Sequence, residues 1–489
     1  MKVKISISII LLFITLSVFS KDYNASLFGI ESNGTTLNTT SIQKALDYIN
    51  ENGGGRLVFH VGRYLTGSIY IKSNVIIHLK EGAILIGSLN PFDYNRHGYW
   101  SALVCAFDQE NIGITGKGVI DGRGYQVVQN ILTMIHKGII IDNKLENDRP
   151  MEGLRPQNVY FKNCKNIVIQ GILMKNPASW NQQYRQCKNL LVENITVDSK
   201  NYWNNDGIDI LDCDSVIIRN NYFDSSDDAI CLKSENKDLL CQNILISNNI
   251  IRSSASGIKF GTYSKGGFKN IEIINNTVFD TYRSAITFAA VDGGIIENIR
   301  VDSLKSINTG NAIFLRIGER RPGKKGSMKN ISISNIYAEI PATKPDKGYP
   351  YEGPIEDLPR NISPVVIVGM PGVYIENITL KNVEIHYPGG GNPNYAKVGL
   401  DALDKVPEHG AEYPEFSMFK ELPAWGFYIR HAKGIVFENV SITCKTKDYR
   451  RAVVLDDVHG ILFNELKVKE MGKKKEPVFS HNSTGVSFK

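Results

Sequence analysis

Acidic side chains concentrate in two short segments of the sequence. Residues 204–209 read Asn-Asn-Asp-Gly-Ile-Asp, and residues 225–228 read Ser-Ser-Asp-Asp. Asp206 and Asp227 are 21 residues apart, close to the repeat length described below. Carboxylates within several ångströms of one another repel when all are ionised, so one of them keeps a proton near neutral pH. The segments therefore predict a site where a carboxylic acid lies beside carboxylates.

Such a site suits the cleavage of a glycosidic bond. The acid protonates the leaving oxygen while a carboxylate activates water on the opposite face of the sugar, and inverting geometry places the two groups about 6.5–9.5 Å apart. One to two strand spacings of about 4.8 Å fall in or near that window. Asp206, Asp227 and Asp228 are accordingly the candidate catalytic residues.

Acidic residues also serve as turn residues, because their side chains bond to nearby backbone. We expect only that role for Asp209, Asp212 and Asp214. It is a weaker interpretation for the adjacent pair at 227 and 228, since consecutive acids before a buried strand are costly without a purpose. A calcium site is an alternative use of these acids, but no loop shows regular spacing of oxygen ligands. We predict no metal and no cofactor.

The elements that position these acids follow from a recurring pattern, in which an Asn, Gly or Ser opens a short β-branched, alternating run. The pattern starts at positions 74, 111, 166, 189, 215, 243, 270, 298, 330, 377, 434 and 460. From 166 to 298 the steps are 23, 26, 28, 27 and 28 residues. Alternation indicates strands, and a period of this size indicates a solenoid. Helical and leucine-rich repeats lack support, so we predict an all-β protein, a parallel β-helix formed by residues 21–489 as one domain.

The two ends of the solenoid differ from its middle. Thr39 to Asn52 places Ile42, Ala45, Leu46 and Ile49 on one helical face, which predicts an amphipathic helix within an N-terminal cap at about 21–70. Such a cap would shield the edge strand of the open end. Insertions at about 340–364 and 388–425 are rich in Pro, Gly and aromatic residues. We expect them to form loops that wall a cleft.

Four cysteines occupy one position of successive repeats, at residues 164, 187, 213 and 241. Stacked coils would make them an inward-facing ladder of small apolar side chains. We predict free, buried thiols, with a Cys213–Cys241 disulfide as the alternative.

Composition and the first residues restrict the class of protein. A content of 42% hydrophobic and 22% charged residues excludes disorder as the main state. The 56 basic and 50 acidic residues are dispersed, so nucleic-acid binding is not indicated. Residues 1–20 combine Lys2 and Lys4 with a short apolar stretch that ends at Ser20, which predicts a signal peptide. We expect an exported monomer, periplasmic or extracellular, without a membrane span in the mature chain.

The acidic motifs and the coil pattern resemble glycoside hydrolase family 28, the polygalacturonase family. This resemblance implies a right-handed parallel β-helix and a reaction that inverts configuration at the cleaved bond. It also implies that Asp227 is the general acid and that Asp206 and Asp228 position and activate water. Asn204 would hold this group by hydrogen bonds.

Two other motifs of the family are altered in this sequence. Ser256 stands where the family has the histidine of Gly-His-Gly, and residues 284–289 contain neither base of Arg-Ile-Lys. Because the family binds the substrate carboxylate with these bases, their loss favours a specialised pectic linkage, such as rhamnogalacturonan, over plain polygalacturonate. Lys233, Lys259 and Arg316 are the candidate replacements, although each is also compatible with a solvated side chain.

Aromatic side chains near these coils are candidate sugar platforms, because a flat ring matches the apolar face of a pyranose. We predict a substrate role for Trp203. Core packing or loop anchoring is expected for a larger set: Trp180, Tyr202, Tyr413, Phe416 and Trp425.

The sequence thus predicts an exported inverting glycoside hydrolase acting on a pectic, galacturonic-acid-containing polysaccharide or oligosaccharide. Its partner would be an acidic plant or algal cell-wall polysaccharide. Three alternatives stay open: a β-helix polysaccharide lyase, a hydrolase of another acidic or sulfated polysaccharide, and a non-catalytic carbohydrate-binding solenoid.

Overall fold

The computed structural model describes residues 21–345, 363–391, 393–394, 398–472 and 476–489. The predicted signal peptide and most of the first insertion lie outside these residues. The described residues form two α-helices, α1 at Thr39–Glu51 and α2 at Gly124–His136. Strands β1 to β33 span, in chain order, Asp22–Asn24, Asn33–Leu37, Gly55–Phe59, Gly62–Thr66, Ile69–Tyr70, Val75–Leu79, Ala83–Gly87, Arg96–His97, Trp100–Phe107, Glu110–Gly116, Val119–Asp121, Gln157–Lys162, Lys165–Gln170, Leu173–Lys175, Gln182–Arg185, Lys188–Glu193, Thr196–Ser199, Ile208–Leu211, Asp214–Arg219, Tyr222–Ser225, Ile230–Ser234, Cys241–Ser247, Ile250–Ser253, Ile258–Ser264, Gly267–Ala290, Ile295–Ile317, Ser327–Glu339, Val365–Val368, Ile375–Tyr387, Ala424–Cys444, Arg451–Lys469, Val478–His481 and Thr484–Phe488.

Apart from β8, which pairs antiparallel with β9, the strands of the described residues pair in parallel with strands of neighbouring coils. In the middle of the molecule the pairs run β15–β18–β21–β24, β13–β16–β19–β22 and β14–β17–β20–β23. These three series are the three faces of a coiled stack. The predicted all-β, parallel β-helical architecture is confirmed.

The corners of the coils are built from the residues that open each sequence repeat. Asn166, Asn189, Asn243, Asn270 and Asn298 all have φ between 54° and 58°. Asn tolerates this left-handed backbone better than most residues do. Their amides also bond to one another from coil to coil, as in Asn270 Nδ2 to Asn243 Oδ1 at 3.2 Å. The repeated Asn is thus a corner residue.

The interior is filled by the alternate side chains of each strand. Isoleucine, valine, leucine and phenylalanine from all three faces form one continuous buried cluster along the stack. The predicted cysteine ladder is part of it, with the Cys187 N–H donating to Cys213 Sγ at 3.3 Å. All seven cysteines lie among the described residues, and each is buried and free. The prediction of free thiols is confirmed.

Helix α1 forms where the sequence predicts it and buries Ile42, Ala45, Leu46 and Ile49. It packs against β3 and β5 near the start of the solenoid. None of the described helices is long and apolar enough to span a membrane.

The second insertion joins β29 to β30 and contains two short 3₁₀ helices, Leu400–Lys405 and Phe416–Phe419. Apolar side chains from this insertion pack on the outer face of β26, β28, β30 and β31. This second buried cluster consists of Phe314, Val366, Val368, Leu403, Val406, Phe416, Phe419, Leu422, Ala424, Tyr428 and Val454. It holds the insertion against the face that carries the acidic residues.

Candidate active site

The acidic residues lie at the start of consecutive strands on one face of the stack. Asp206 precedes β18 and Asp228 precedes β21, and the register of these strands places the two residues opposite each other. Ser256 follows Asp228 in the same position one coil on, since Ala229 N bonds to Ser256 O at 3.0 Å. The expectation that both acidic segments surface on one face, one coil apart, is confirmed by this register.

Asp206 and Asp209 share one buried lysine. The Lys233 ammonium contacts Asp206 Oδ2 at 3.3 Å and forms a short ion pair with Asp209. It also lies 3.8 Å from the centre of the Trp180 ring. Asp206 Oδ1 is buried without a hydrogen-bond partner in the described structure, so this oxygen is available to hold water or substrate.

Asp228 is held as an anion by its surroundings. Its Oδ2 accepts from Lys259 Nζ at 2.6 Å, and its Oδ1 accepts from the Ser256 N–H at 3.1 Å. Although burial acts to raise the pKa of Asp228, the charges of Lys259 and Arg283 outweigh it and lower the pKa below its ordinary value. Asp228 is therefore suited to accept a proton.

The pKa values of Asp206 and Asp209 shift in the opposite direction, upwards. Burial, with the neighbouring charge of Asp209, raises the pKa of Asp206 well above its ordinary value. Burial also raises the pKa of Asp209 to about 7, although Lys233 opposes the shift. One carboxyl of this pair keeps a proton near neutral pH, as the sequence predicts for the site.

Asp227 differs from these acids because it is only half-buried. Its Oδ1 accepts from the Asp228 N–H at 2.9 Å, and its carbonyl accepts from Ser253 Oγ at 2.6 Å. Asp227 is thus the more exposed neighbour of the buried Asp228.

The second insertion reaches into the site through two side chains. The Tyr413 hydroxyl accepts from Lys259 Nζ, and its ring lies 4.7 Å from Lys259 Nζ and 5.3 Å from the Arg283 guanidinium. Glu415 Oε2 lies 2.6 Å from Arg283 Nε. The expectation that an insertion walls the cleft agrees with these contacts.

Two arginines and two neutral groups form the opposite side of the site. Asn204 Oδ1 accepts from Arg149 Nη2 and Arg155 Nη2, both at 2.7 Å. Arg149 also lies 5.1 Å from the centre of the Trp203 ring, which is half-buried. Asn205 fixes the turn, because its amide donates to Ser179 O at 2.8 Å and its oxygen accepts from Tyr202 N at 2.8 Å.

Oxygens of Asp206 and Asp228 and the sulfur of Cys231 lie within 4.8 Å of one another, a spacing that a metal ion could bridge. Lys233 and Lys259 already neutralise these carboxylates from two sides. The arrangement is therefore better suited to moving protons than to binding a cation.

The sequence profile described as "Glycosyl hydrolases family 28" matches residues 62–284, which include both acidic segments and Arg283. The chain is 26% identical over 257 residues to an exo-poly-alpha-D-galacturonosidase of Dickeya chrysanthemi, covering 44% of this chain and 42% of that protein. It is 26% identical over 239 residues to a probable polygalacturonase of Vitis vinifera, covering 45% and 46%. Over residues 62–284 the chain is similar to glycosyl hydrolases family 28. It is polygalacturonase-like, and its matches span less than half the length of these two relatives.

The fold of the protein agrees with that of a solved structure. The hyperthermoactive exopolygalacturonase of Thermotoga maritima superposes with a TM-score of 0.59 at 24% identity, covering 75% of this chain and 87% of that one. At this identity the likeness concerns the fold alone.

The structure brings together most of the predicted site residues but not all. Asp206, Asp228, Lys233, Ser256 and Lys259 are linked by the contacts above. Arg316 lies three coils beyond Lys233, a distance of about 14 Å at the usual strand spacing. Its guanidinium donates to Gly369 O at 2.8 Å and to Glu408 O. Its role as a substrate ligand stays a prediction.

The candidate site also contains residues that the sequence does not predict. Asp209 was expected only to bond to turn backbone, and that expectation is wrong because it is buried against Lys233; Asp212 does serve a turn, accepting from Glu235 N at 2.9 Å. Arg283 lies just before the segment compared with Arg-Ile-Lys. Positions 227, 255 and 283 are separated by equal steps of 28 residues, a signal that points to Arg283.

Proposed function

We propose that this protein is a family-28 glycoside hydrolase that cleaves O-glycosyl bonds in a pectic, galacturonic-acid-containing polysaccharide. The observation that carries the proposal is the half-buried Asp227 next to the buried Asp228, which lies opposite the buried Asp206. Two relatives named as galacturonan-degrading enzymes support the substrate class.

In the mechanism that these residues support, Asp227 donates its proton to the leaving oxygen. Water lies between Asp206 and Asp228, and the unpartnered Oδ1 of Asp206 is one of its ligands. Ionised Asp228 takes a proton from this water while the water oxygen bonds to the anomeric carbon. Attack from the side opposite the leaving group inverts configuration.

Replacement of Asp227 tests the proposal. Asp227→Asn removes the acidic proton while keeping the shape of the side chain, so we expect the hydrolysis rate to fall by about 10²- to 10⁴-fold. Release of reducing ends from pectic polysaccharides measures the effect, and circular dichroism checks the fold. Asp238→Asn is the matched control because Asp238 is exposed and pairs only locally with Lys237. Near-normal turnover by Asp227→Asn contradicts the assignment.

Further parts of the proposal concern the chain as a whole. We propose that residues 1–20 direct export, that the solenoid winds right-handed as parallel crossovers do, and that α1 caps its first coil. Fusion of residues 1–20 to a reporter tests the first of these, since retention of the reporter in the cytoplasm would contradict it.

A further inference from the structure

Three buried bases beside the catalytic carboxylates, Lys233, Lys259 and Arg283, are each paired with an acid of the protein. Lys233 forms ion pairs with Asp209 and Asp206, and Lys259 forms one with Asp228. Arg283, whose side chain is 4% exposed, meets Glu415 from the second insertion. These three bases therefore offer no unpaired positive charge to a substrate carboxylate.

Glu415 is the one acid of these ion pairs that comes from the second insertion. Glu415 lies on the insertion rather than on the solenoid. Its carboxylate forms an ion pair with Arg283, which lies two coils beyond Asp227. The Tyr413 ring lies against both Lys259 and Arg283, so it fixes the insertion at this point. A uronate carboxylate that entered here would have to displace Glu415 or add charge beside three acids.

The opposite side of the cleft has a different charge. There the half-buried Arg149 contacts neutral partners, the Asn204 amide oxygen and the Trp203 ring. Guanidinium groups with neutral partners retain their charge for an anionic ligand. The two sides of Asp227 are thus chemically unequal.

We propose that Glu415 determines substrate specificity, because its carboxylate pairs with Arg283 in place of a substrate carboxylate. The sugar bound on the Arg283 side of the cleavage point then carries no carboxylate. The sugar is a neutral hexose or a 6-deoxyhexose, next to a uronate on the Arg149 side. This inference rests on the proposed function, because it concerns the same cleft.

The first experiment compares substrates that differ in one charge. Galacturonan oligosaccharides and their methyl esters share sugars and linkages, and a rhamnogalacturonan oligosaccharide alternates uronate with a neutral deoxy sugar. We expect the wild-type protein to have a higher kcat/KM on the esterified and the alternating substrates than on free galacturonan. Glu415→Gln exposes Arg283, and should raise the ratio of kcat/KM on free over esterified galacturonan by about tenfold or more, as a charge-assisted hydrogen bond contributes.

Three variants serve as controls. Glu415→Asp keeps the carboxylate and should retain the wild-type ratio. Glu412→Gln alters an acid of the same insertion whose side chain is 54% exposed and pairs with His409, and should also leave the ratio unchanged. Glu415→Gln combined with Arg283→Gln should lose the gain.

A binding measurement separates this inference from the proposed function. Calorimetry with D-galacturonate and D-galactose needs no turnover, and Glu415→Gln should bind D-galacturonate about tenfold more tightly with little change for D-galactose. A protein that cleaves none of the substrates, yet shows this change, contradicts the proposed function and supports the role of Glu415. An unchanged or lowered preference for the free uronate in Glu415→Gln, with unfolding temperature preserved, overturns the role of Glu415.

Discussion

Charge at the active cleft is balanced between individual side chains. Lys259 keeps Asp228 ionised, while burial keeps a proton on the pair of Asp206 and Asp209. Neighbouring aspartates thus favour different protonation states. Asp228 has the cation of Lys259 to itself, whereas Asp206 and Asp209 share Lys233. General acid–base chemistry depends on such a separation of pKa values.

The titration of Asp209 should be visible in folding stability. Its pKa is about 7 in the folded protein and about 3.9 in an unfolded chain, so the folded state binds the proton more tightly. This contribution is complete below about pH 4 and is lost as the pH rises through 7, with a slope of at most about 1.4 kcal/mol per pH unit.

Thermal unfolding between pH 4.5 and 7.5 measures this contribution. Asp209→Asn cannot titrate, so its unfolding temperature should fall less across that range than that of the wild type. Asp238→Asn, at an exposed site, should follow the wild type. Parallel curves for the wild type and Asp209→Asn would show that Asp209 does not keep a proton.

At the scale of elements, the corner between two strands determines where each coil bends. Asn270 has φ 54°, donates to Asn243 and accepts from Asn298, both at 3.2 Å. Its backbone conformation and its amide ladder therefore act at the same position. The strands that follow start in register because the corners stack.

Substitution of Asn270 separates these two contributions. Asn270→Ala loses the amide bonds and places a Cβ in a left-handed conformation, which costs about 1–2 kcal/mol for the backbone alone. Asn270→Gly loses the same bonds but adopts this conformation freely, so it should destabilise less. Urea unfolding midpoints give the comparison. Equal losses in both variants would place the whole effect in the amide ladder.

At the scale of the whole molecule, the solenoid has one interior into which every coil contributes. The cysteine ladder lies within it, and burial raises the pKa of Cys187 well above its ordinary value. A buried neutral thiol is a poor nucleophile. The interior should therefore protect its thiols until the coils separate.

Thiol titration tests this closure of the interior. The native protein should react slowly with Ellman reagent, and unfolding without reductant should release all seven thiols. Reductant should leave the unfolding temperature unchanged. Release of only five thiols would instead show a disulfide, with Cys213 and Cys241 as the first pair to examine.

The sequence by itself determined the features that short segments encode. Alternating strands, left-handed corners at Asn270 and its equivalents, the face of α1 and the acids at 206, 227 and 228 all follow from local spacing. A solenoid makes this information sufficient for its architecture, because neighbouring coils are neighbours in sequence.

Only the tertiary structure decided which partners the charged groups meet. Lys259 and Tyr413 are 154 residues apart, and Glu415 reaches Arg283 because apolar packing seats the insertion on the outer face of the strands. Asp209 has the appearance of a turn residue until Lys233 is placed beside it. A side chain's charge state depends on what surrounds it in space, and sequence spacing carries that information only within a coil.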